Sequence, residues 1–132
     1  MKLIKRDTDY AVRALCYFAN QKKRVVNSDE LVKRLKMPRP YMRKILQQLG
    51  RSGMLLSVKG QAGGFILSRS LDHINLSDLI NLFQGPTQLS DHLLKKKPCP
   101  ELKNCRLKKK LDRIENLIVS VLKSTKISSL LK

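Results

Sequence analysis

The chain has 132 residues, of which 42% are hydrophobic, and its 28 Lys and Arg against 10 Asp and Glu give a formal net charge of +18. This length suits one domain, or one domain with an appendage, and the longest apolar runs fall far short of the roughly 18 residues that a membrane span needs. The charge favours a nucleic-acid partner over a surface that is merely basic and soluble. The N-terminus has no long apolar segment of the secretory type, so a cytoplasmic protein is expected.

The first two helices are predicted from caps and apolar spacing. Thr8 is expected to cap a helix over 8–21, in which Ala11, Leu15 and other apolar residues share one face. Asn27 and Glu30 have the spacing of a capping box, which predicts a second helix over 27–36.

A pair of prolines separates the second helix from a third. Pro38 and Pro40 end the second helix, and Pro40 suits the first position of a helix over 40–51. The outward face of that helix has hydrogen-bonding and cationic side chains without an acid: Tyr41, Arg43, Lys44, Gln47, Gln48 and Arg51. This pattern predicts a helix-turn-helix whose second helix enters the DNA major groove.

A glycine-rich hairpin follows directly. Residues 54–59 and 65–69 have strand character, and 60–64, with the sequence GQAGG, form the turn. A helix-turn-helix followed by a hairpin predicts a winged helix. The glycines would allow positive φ and close approach to a phosphate backbone, with Lys59 and Gln61 at the DNA. An ordinary surface hairpin is the alternative.

Two more helices complete the chain. Asn75 is expected to cap a helix over 75–84, which Gly85 and Pro86 end. After a polar loop, residues 101–123 keep an apolar stripe across five turns. Such a helix at the end of a small domain is typical of a homodimer interface, although it could instead pack on its own domain.

The three cysteines do not form a disulfide framework pattern. Cys16 is expected to be a small buried hydrophobe. Cys99 and Cys105 are set among lysines, which favour thiolates, but a single C-x5-C is a weak metal signal. The sequence contains no GxSxG, HExxH or Walker motif, so an enzyme is not expected.

Taken together, these motifs resemble the IscR/NsrR/CymR-type family of bacterial transcriptional regulators over nearly the whole chain. The resemblance rests on DYAVRAL at 9–15, MPRPYMRKILQQL at 37–49, GMLLSVKGQAGGFILSR at 53–69, INLSDLI at 74–80 and the C-P-x4-C ending at Cys105. It implies a mainly α, homodimeric winged-helix DNA binder. Many such proteins sense iron–sulfur, nitric oxide or redox status through a cluster beside the long helix.

The resemblance also implies a set of cluster ligands. Cluster-binding members have cysteines spaced C-x5-C-x5-C, and the first would fall here at Leu93. A [2Fe–2S] cluster could still be held by Cys99 and Cys105, with Asp9 of the partner subunit and His92 as further ligands. A thiol switch between Cys99 and Cys105, or no sensing role for them, stays open.

The expected organisation is a DNA-binding domain at 1–85, a sensor loop at 86–100, and a dimerisation helix with a tail at 101–132. The side chains expected at a palindromic operator are Arg39, Pro40, Tyr41, Arg43, Lys44, Gln47, Lys59 and Gln61. Family members often have an acid at the position of Arg43, so a different operator is expected here. A cluster-free regulator controlled by a protein or metabolite partner, and a basic RNA-binding protein, are the alternatives.

Overall fold

A computed structural model describes residues 2–22, 24–89 and 105–131 of the chain. The described part contains five α-helices and one two-stranded antiparallel sheet. The elements are α1 (Arg6–Asn20), α2 (Ser28–Leu35), α3 (Arg39–Arg51), β1 (Leu55–Val58), β2 (Gly64–Leu67), α4 (Leu76–Gln84) and α5 (Arg106–Ser124), with 3₁₀ turns at Leu71–His73 and Ile127–Leu130. The predicted winged helix is confirmed. No helix among these residues is both long enough and apolar enough to cross a membrane.

The predicted caps of α2 and α4 are confirmed. Asn27 accepts a hydrogen bond from the Glu30 N–H at 2.8 Å, and Asn75 and Asp78 form a complete capping box. Glu30 does not return the bond to Asn27, because its carboxylate is occupied by Arg24 and Tyr17.

The predicted cap of α1 is wrong. The helix begins at Arg6, and Lys5 occupies the cap position without a side-chain hydrogen bond. Thr8 is buried inside the first turn, where its hydroxyl donates to the Gln84 side chain at 2.7 Å. The start of α1 is therefore fixed by a residue 76 positions later in the chain.

The predicted hairpin is confirmed, and its second strand also pairs with a residue outside the hairpin, which the sequence did not predict. Leu55 pairs with Leu67 and Val58 with Gly64. Val26, between α1 and α2, exchanges two backbone hydrogen bonds with Phe65, at 2.9 and 2.8 Å. The hairpin is therefore attached to the helical core at its middle.

One hydrophobic core joins α1, α2, α3, the hairpin base and α4. Residues from each element are fully buried in it, among them Leu15, Leu31, Ile45 and Leu79. The chain after α5 also reaches this core: Ile127 is 0% exposed, and its N–H donates to the Ile74 carbonyl at 2.8 Å. The tail is thus an integral part of the winged-helix packing.

Helix α5 begins at Arg106 and not at 101; Cys105 is its N-cap, and 101–104 lie outside the described residues. The apolar side of α5 is only partly buried against the rest of the chain. Leu122 is buried and Ile118 half-buried, whereas Leu107, Ile114, Leu117 and Val121 are 47 to 62% exposed. Four large apolar side chains on one side of a helix form a patch of the kind that marks an interaction surface.

Candidate nucleic-acid interface

Helix α3 presents a polar, cationic face to solvent. Its buried stripe of Met42, Ile45, Leu46 and Leu49 packs into the core. At 100° per residue, Pro40, Lys44, Gln47 and Arg51 then lie along the centre of the opposite face. All four are exposed, and so is Arg43 at one edge of that face. Residues 39–51 contain no carboxylate, so this surface attracts polyanions along its whole length.

The turn before α3 is tight and fixes where the helix begins. Lys36 ends α2 in the left-handed conformation, with φ 53° and ψ 45°, and Met37 is buried behind it. Pro38 is the cap of α3, and Pro40 occupies the second helical position instead of the predicted first. Both prolines fall where a backbone N–H would have no intrahelical acceptor, so the N–H that proline lacks is not missed.

Arg39 differs from the other cationic residues of α3. Its guanidinium forms an ion pair with Asp29 in the first turn of α2. This ion pair connects the two helices of the helix-turn-helix at their N-terminal ends. Arg39 is therefore placed to orient α3 relative to α2.

The hairpin tip carries exposed Lys59 and Gln61 beside three glycines with different roles. Gly60 has φ +116°, which side-chain-bearing residues rarely adopt. Gly63 and Gly64 do not have positive φ; they lack space instead, since a Cβ on Gly63 would lie 2.5 Å from the Val58 carbonyl oxygen. The sequence interpretation, which attributed these glycines to DNA approach, missed that two of them are required by internal packing.

A contact between α1 and α3 was not predicted at all. The guanidinium carbon of Arg6 lies 5.7 Å from the centroid of the Tyr41 ring, and Tyr41 is 41% exposed. The backbone around Arg6 is held by Gln84, whose side chain accepts from the Lys5 N–H at 2.7 Å and donates to the Leu3 carbonyl at 3.0 Å. No local sequence signal connects these positions.

A second polar cluster lies away from α3. Glu30 accepts hydrogen bonds from Arg24 and from the Tyr17 hydroxyl. The Arg24 guanidinium, followed by the tyrosine hydroxyl, lowers the pKa of Glu30 to about 2. Arg24 is neutralised here, so this cluster fastens α2 to α1 and adds little to the basic surface.

The family model of the Rrf2 regulators, described as iron-dependent transcriptional regulators, matches residues 4–132. The chain belongs to the Rrf2 family. It is 34% identical over 124 residues to a protein of Aquifex aeolicus named as an HTH-type transcriptional regulator, covering 92% of this chain and 86% of the relative. The family and this relative show a DNA-binding transcriptional regulator.

Solved structures share the Rrf2 fold over nearly the whole chain. CymR, the global cysteine regulator of B. subtilis, superposes with a TM-score of 0.76 at 21% identity, covering 98% of this chain and 96% of CymR. IscR of T. potens has a TM-score of 0.72 at 21% identity, covering 98% of this chain and 85% of that protein. At these identities the likeness concerns the fold.

Of the sensing residues expected from the Rrf2 resemblance, the structure describes two. Cys105 is half-exposed, and its Sγ accepts from the Lys108 N–H at 3.4 Å. Asp9 is half-exposed on α1 and forms an ion pair with Arg13 at 3.2 Å. Cys99 and His92 lie outside the described residues. Within the described ranges, no three His, Cys, Asp or Glu side chains are grouped as a metal site.

Cys16, the third cysteine, is half-buried on α1 and packs against the core. Burial raises the pKa of its thiol, which favours the protonated form. The residue therefore has the character of a packing hydrophobe and not of a reactive thiolate.

Proposed function

We propose that the chain acts as a homodimeric repressor, in which α3 of each subunit enters the major groove of a palindromic operator and the wing contacts the neighbouring backbone. The observation that carries this proposal is the carboxylate-free outer face of α3, together with the exposed Lys59 at the wing tip. The expected DNA contacts are made by Arg39, Pro40, Tyr41, Arg43, Lys44, Gln47, Lys59 and Gln61.

The side chains differ in what they can recognise. Arg43 can donate two hydrogen bonds to a guanine edge, and Gln47 can pair with an adenine edge. Lys44 and Lys59 are suited to phosphate oxygens, which position the protein without reading sequence. Arg39 is engaged with Asp29, so its main contribution is the orientation of α3.

Selection from a random duplex pool would define the operator, and variants would then test the assignment. Arg43→Ala and Gln47→Ala should each cost about 1–3 kcal/mol of binding free energy and relax specificity at one base pair. Lys44→Ala should weaken binding to all sequences evenly and reduce the salt dependence. Base preferences that stay unchanged in Arg43→Ala and Gln47→Ala would refute the docking of α3.

The proposed dimer interface is the apolar side of α5. Leu107, Ile114 and Val121 recur every seven residues, with Leu117 between the last two, a spacing that suits helix pairing. With this interface, residues 101–132 would join the subunits and residues 1–85 would bind DNA, which is the division expected from the sequence. The tail nevertheless packs into the DNA-binding domain through Ile127.

Sedimentation can test this interface with a matched pair of variants. Val121→Asp places a charge in the apolar side and should convert the dimer to monomer at micromolar concentration. Asn116→Asp adds a charge to the exposed opposite side of the same helix and should leave the dimer intact. Equal behaviour of the two variants would exclude this side of α5 as the interface.

The proposed sensing site consists of Cys99 and Cys105 with Asp9 of the partner subunit and His92. Cys105 fits a ligand role, since its half-exposed Sγ accepts a backbone N–H bond that a bound thiolate could keep. Asp9 would first have to leave Arg13. A [2Fe–2S] cluster bound by these residues would supply a one-electron redox change or a target for nitric oxide.

An absorption spectrum of protein purified without oxygen tests the site. Bands between about 320 and 460 nm that disappear in Cys99→Ala would support a cluster. A colourless, iron-free protein that still binds its operator would favour a thiol switch between Cys99 and Cys105, or control by a protein or metabolite partner. Equal affinity for structured RNA and for the selected operator would instead favour an RNA-binding protein.

A route from the loop to the DNA-reading helix is supported by Gln84, the last residue before Gly85 and the loop. Its side chain holds Leu3, Lys5 and Thr8, and the adjacent Arg6 contacts Tyr41 on α3. Replacing Gln84 with Leu should reduce the difference in DNA affinity between the protein with and without the signal that the loop senses. An unchanged difference would exclude this route.

A further inference from the structure

We infer that Arg6 is a DNA-contacting residue, so that the first turn of α1 forms a third phosphate-binding element beside α3 and the wing. The inference rests on the proposed docking of α3. It concerns a residue outside the helix-turn-helix and the wing, in a segment to which the sequence assigns no DNA contact. The ligand is a backbone phosphate at the edge of the groove that α3 enters.

The position of Arg6 follows from its contact with α3. The guanidinium lies 5.7 Å from the ring centroid of Tyr41, which stands at the edge of the outer face that also contains Lys44 and Gln47. A guanidinium that covers an aromatic face keeps its N–H edges free for hydrogen bonds in its own plane. A phosphate that passes along α3 at the Tyr41 edge would meet these donors.

The segment is ordered in advance, which separates Arg6 from an ordinary terminal cation. Gln84 fixes the backbone on both sides of it, through the Leu3 carbonyl and the Lys5 N–H. The ring of Tyr41 restricts the side chain. Binding then loses less conformational entropy than it would with a free arginine, which has about 2 kcal/mol of rotamer entropy.

The charges around Arg6 favour an anion. Lys2 and Lys5 are exposed neighbours, and none of the ion pairs among residues 2–22, 24–89 and 105–131 involves Arg6. Two acids occupy the same turn of α1. Asp9 is paired with Arg13, and Asp7 is rotated by about 100° from Arg6 around the helix axis.

The test measures affinity for a mixed-sequence duplex of about three helical turns as a function of salt, since a phosphate contact needs no operator. Arg6→Gln should weaken binding about fivefold or more at low salt and reduce the salt slope by ~0.9 for each lost phosphate contact. Arg6→Lys should keep the slope but lose part of the affinity, because lysine cannot present the planar fork. Lys123→Gln, on the exposed polar side of α5, is the charge-matched control and should change affinity less than twofold.

Several outcomes would overturn the inference. If Arg6→Gln changes duplex affinity no more than Lys123→Gln does, the inference is refuted. It is also refuted if Arg6→Gln melts at a lower temperature but binds duplex normally, because the Arg6–Tyr41 contact would then only stabilise the fold. Lys44→Gln separates the two levels of the argument. Loss of binding in Lys44→Gln with normal binding in Arg6→Gln refutes this inference alone, whereas unchanged binding in both variants refutes the docking of α3.

Discussion

Replacing Gly64 with alanine should separate strand β2 from Val26. A Cβ on Gly64 would lie 2.8 Å from the Val26 carbonyl carbon and 3.0 Å from the Asn27 Cα, and closer still to the Val26 oxygen. These are backbone atoms, which cannot rotate away as a side chain could. The segment at Val26 must therefore move back from β2.

The size of the effect can be worked from the contacts that would separate. Val26 and Phe65 exchange hydrogen bonds of 2.9 and 2.8 Å, and Val26 is fully buried. Each bond contributes about 1 kcal/mol net, and a buried group left unpaired costs about 1–3 kcal/mol. Gly64→Ala should thus lower the free energy of unfolding by about 2–4 kcal/mol, a large share of the ~7–20 kcal/mol expected for this length.

Urea unfolding followed by circular dichroism, at one fixed protein concentration, measures the change. Gly50→Ala is the matched control, since its Cβ would make an ordinary 3.5 Å contact with the Phe65 ring and the helix would gain up to about 1 kcal/mol of propensity. A Gly64→Ala protein within about 0.5 kcal/mol of the native stability would refute the packing argument, because an exposed, unconstrained site gives changes of that size.

Three further predictions concern stability. The Glu30 pKa of about 2 in the folded protein lies below its pKa in the unfolded chain, so its stabilisation is complete at pH above the unfolded pKa and is lost as pH falls toward 2. Glu30→Gln should therefore reduce the fall in melting temperature at acid pH. An unchanged fall in this variant would contradict the prediction. Lys36 has a left-handed backbone, which glycine adopts without steric cost, so Lys36→Gly should raise the unfolding free energy by about 1 kcal/mol in urea titrations. Lys36→Ala should give no such gain. Equal effects of the two variants would show that the lost lysine charge, and not the backbone, changes the stability. Ile127→Ala should cost about 2–4 kcal/mol by the same titration, and a loss below ~1 kcal/mol would show that the tail packs loosely.

Local signals predicted the fold well where the deciding chemistry lies within a few residues. The caps at Asn27 and Asn75, the prolines around Arg39, and Gly60 and Gly63 in the hairpin turn each act on nearby residues, so spacing alone places α2, α3, α4 and the wing. The outer face of α3 could be predicted for the same reason, since its buried stripe determines which side chains remain outside.

Contacts between distant parts of the chain could not be predicted. Thr8 has the chemistry of a cap, but its hydroxyl donates to Gln84, and the cap position lies three residues earlier, at Lys5. Glu30 has capping-box spacing, but Arg24 and Tyr17 bind its carboxylate. In both cases a polar partner outside the helix being capped prevailed over a local preference whose strength is only about 1 kcal/mol.

The anchoring of the chain just after α5 has a mechanical consequence. Leu76 and Ile127 connect the end of this helix to α4 and the core through backbone bonds of 2.8 Å, so α5 and the body that contains α3 should turn together. A helix of 19 residues is about 28 Å long, and a tilt of about 5° at one end displaces the other by about 2.5 Å. That displacement approaches the 3.4 Å rise of one DNA base pair. In the proposed dimer, a small rotation of the paired α5 helices would therefore suffice to move the two α3 helices out of register with their half-sites.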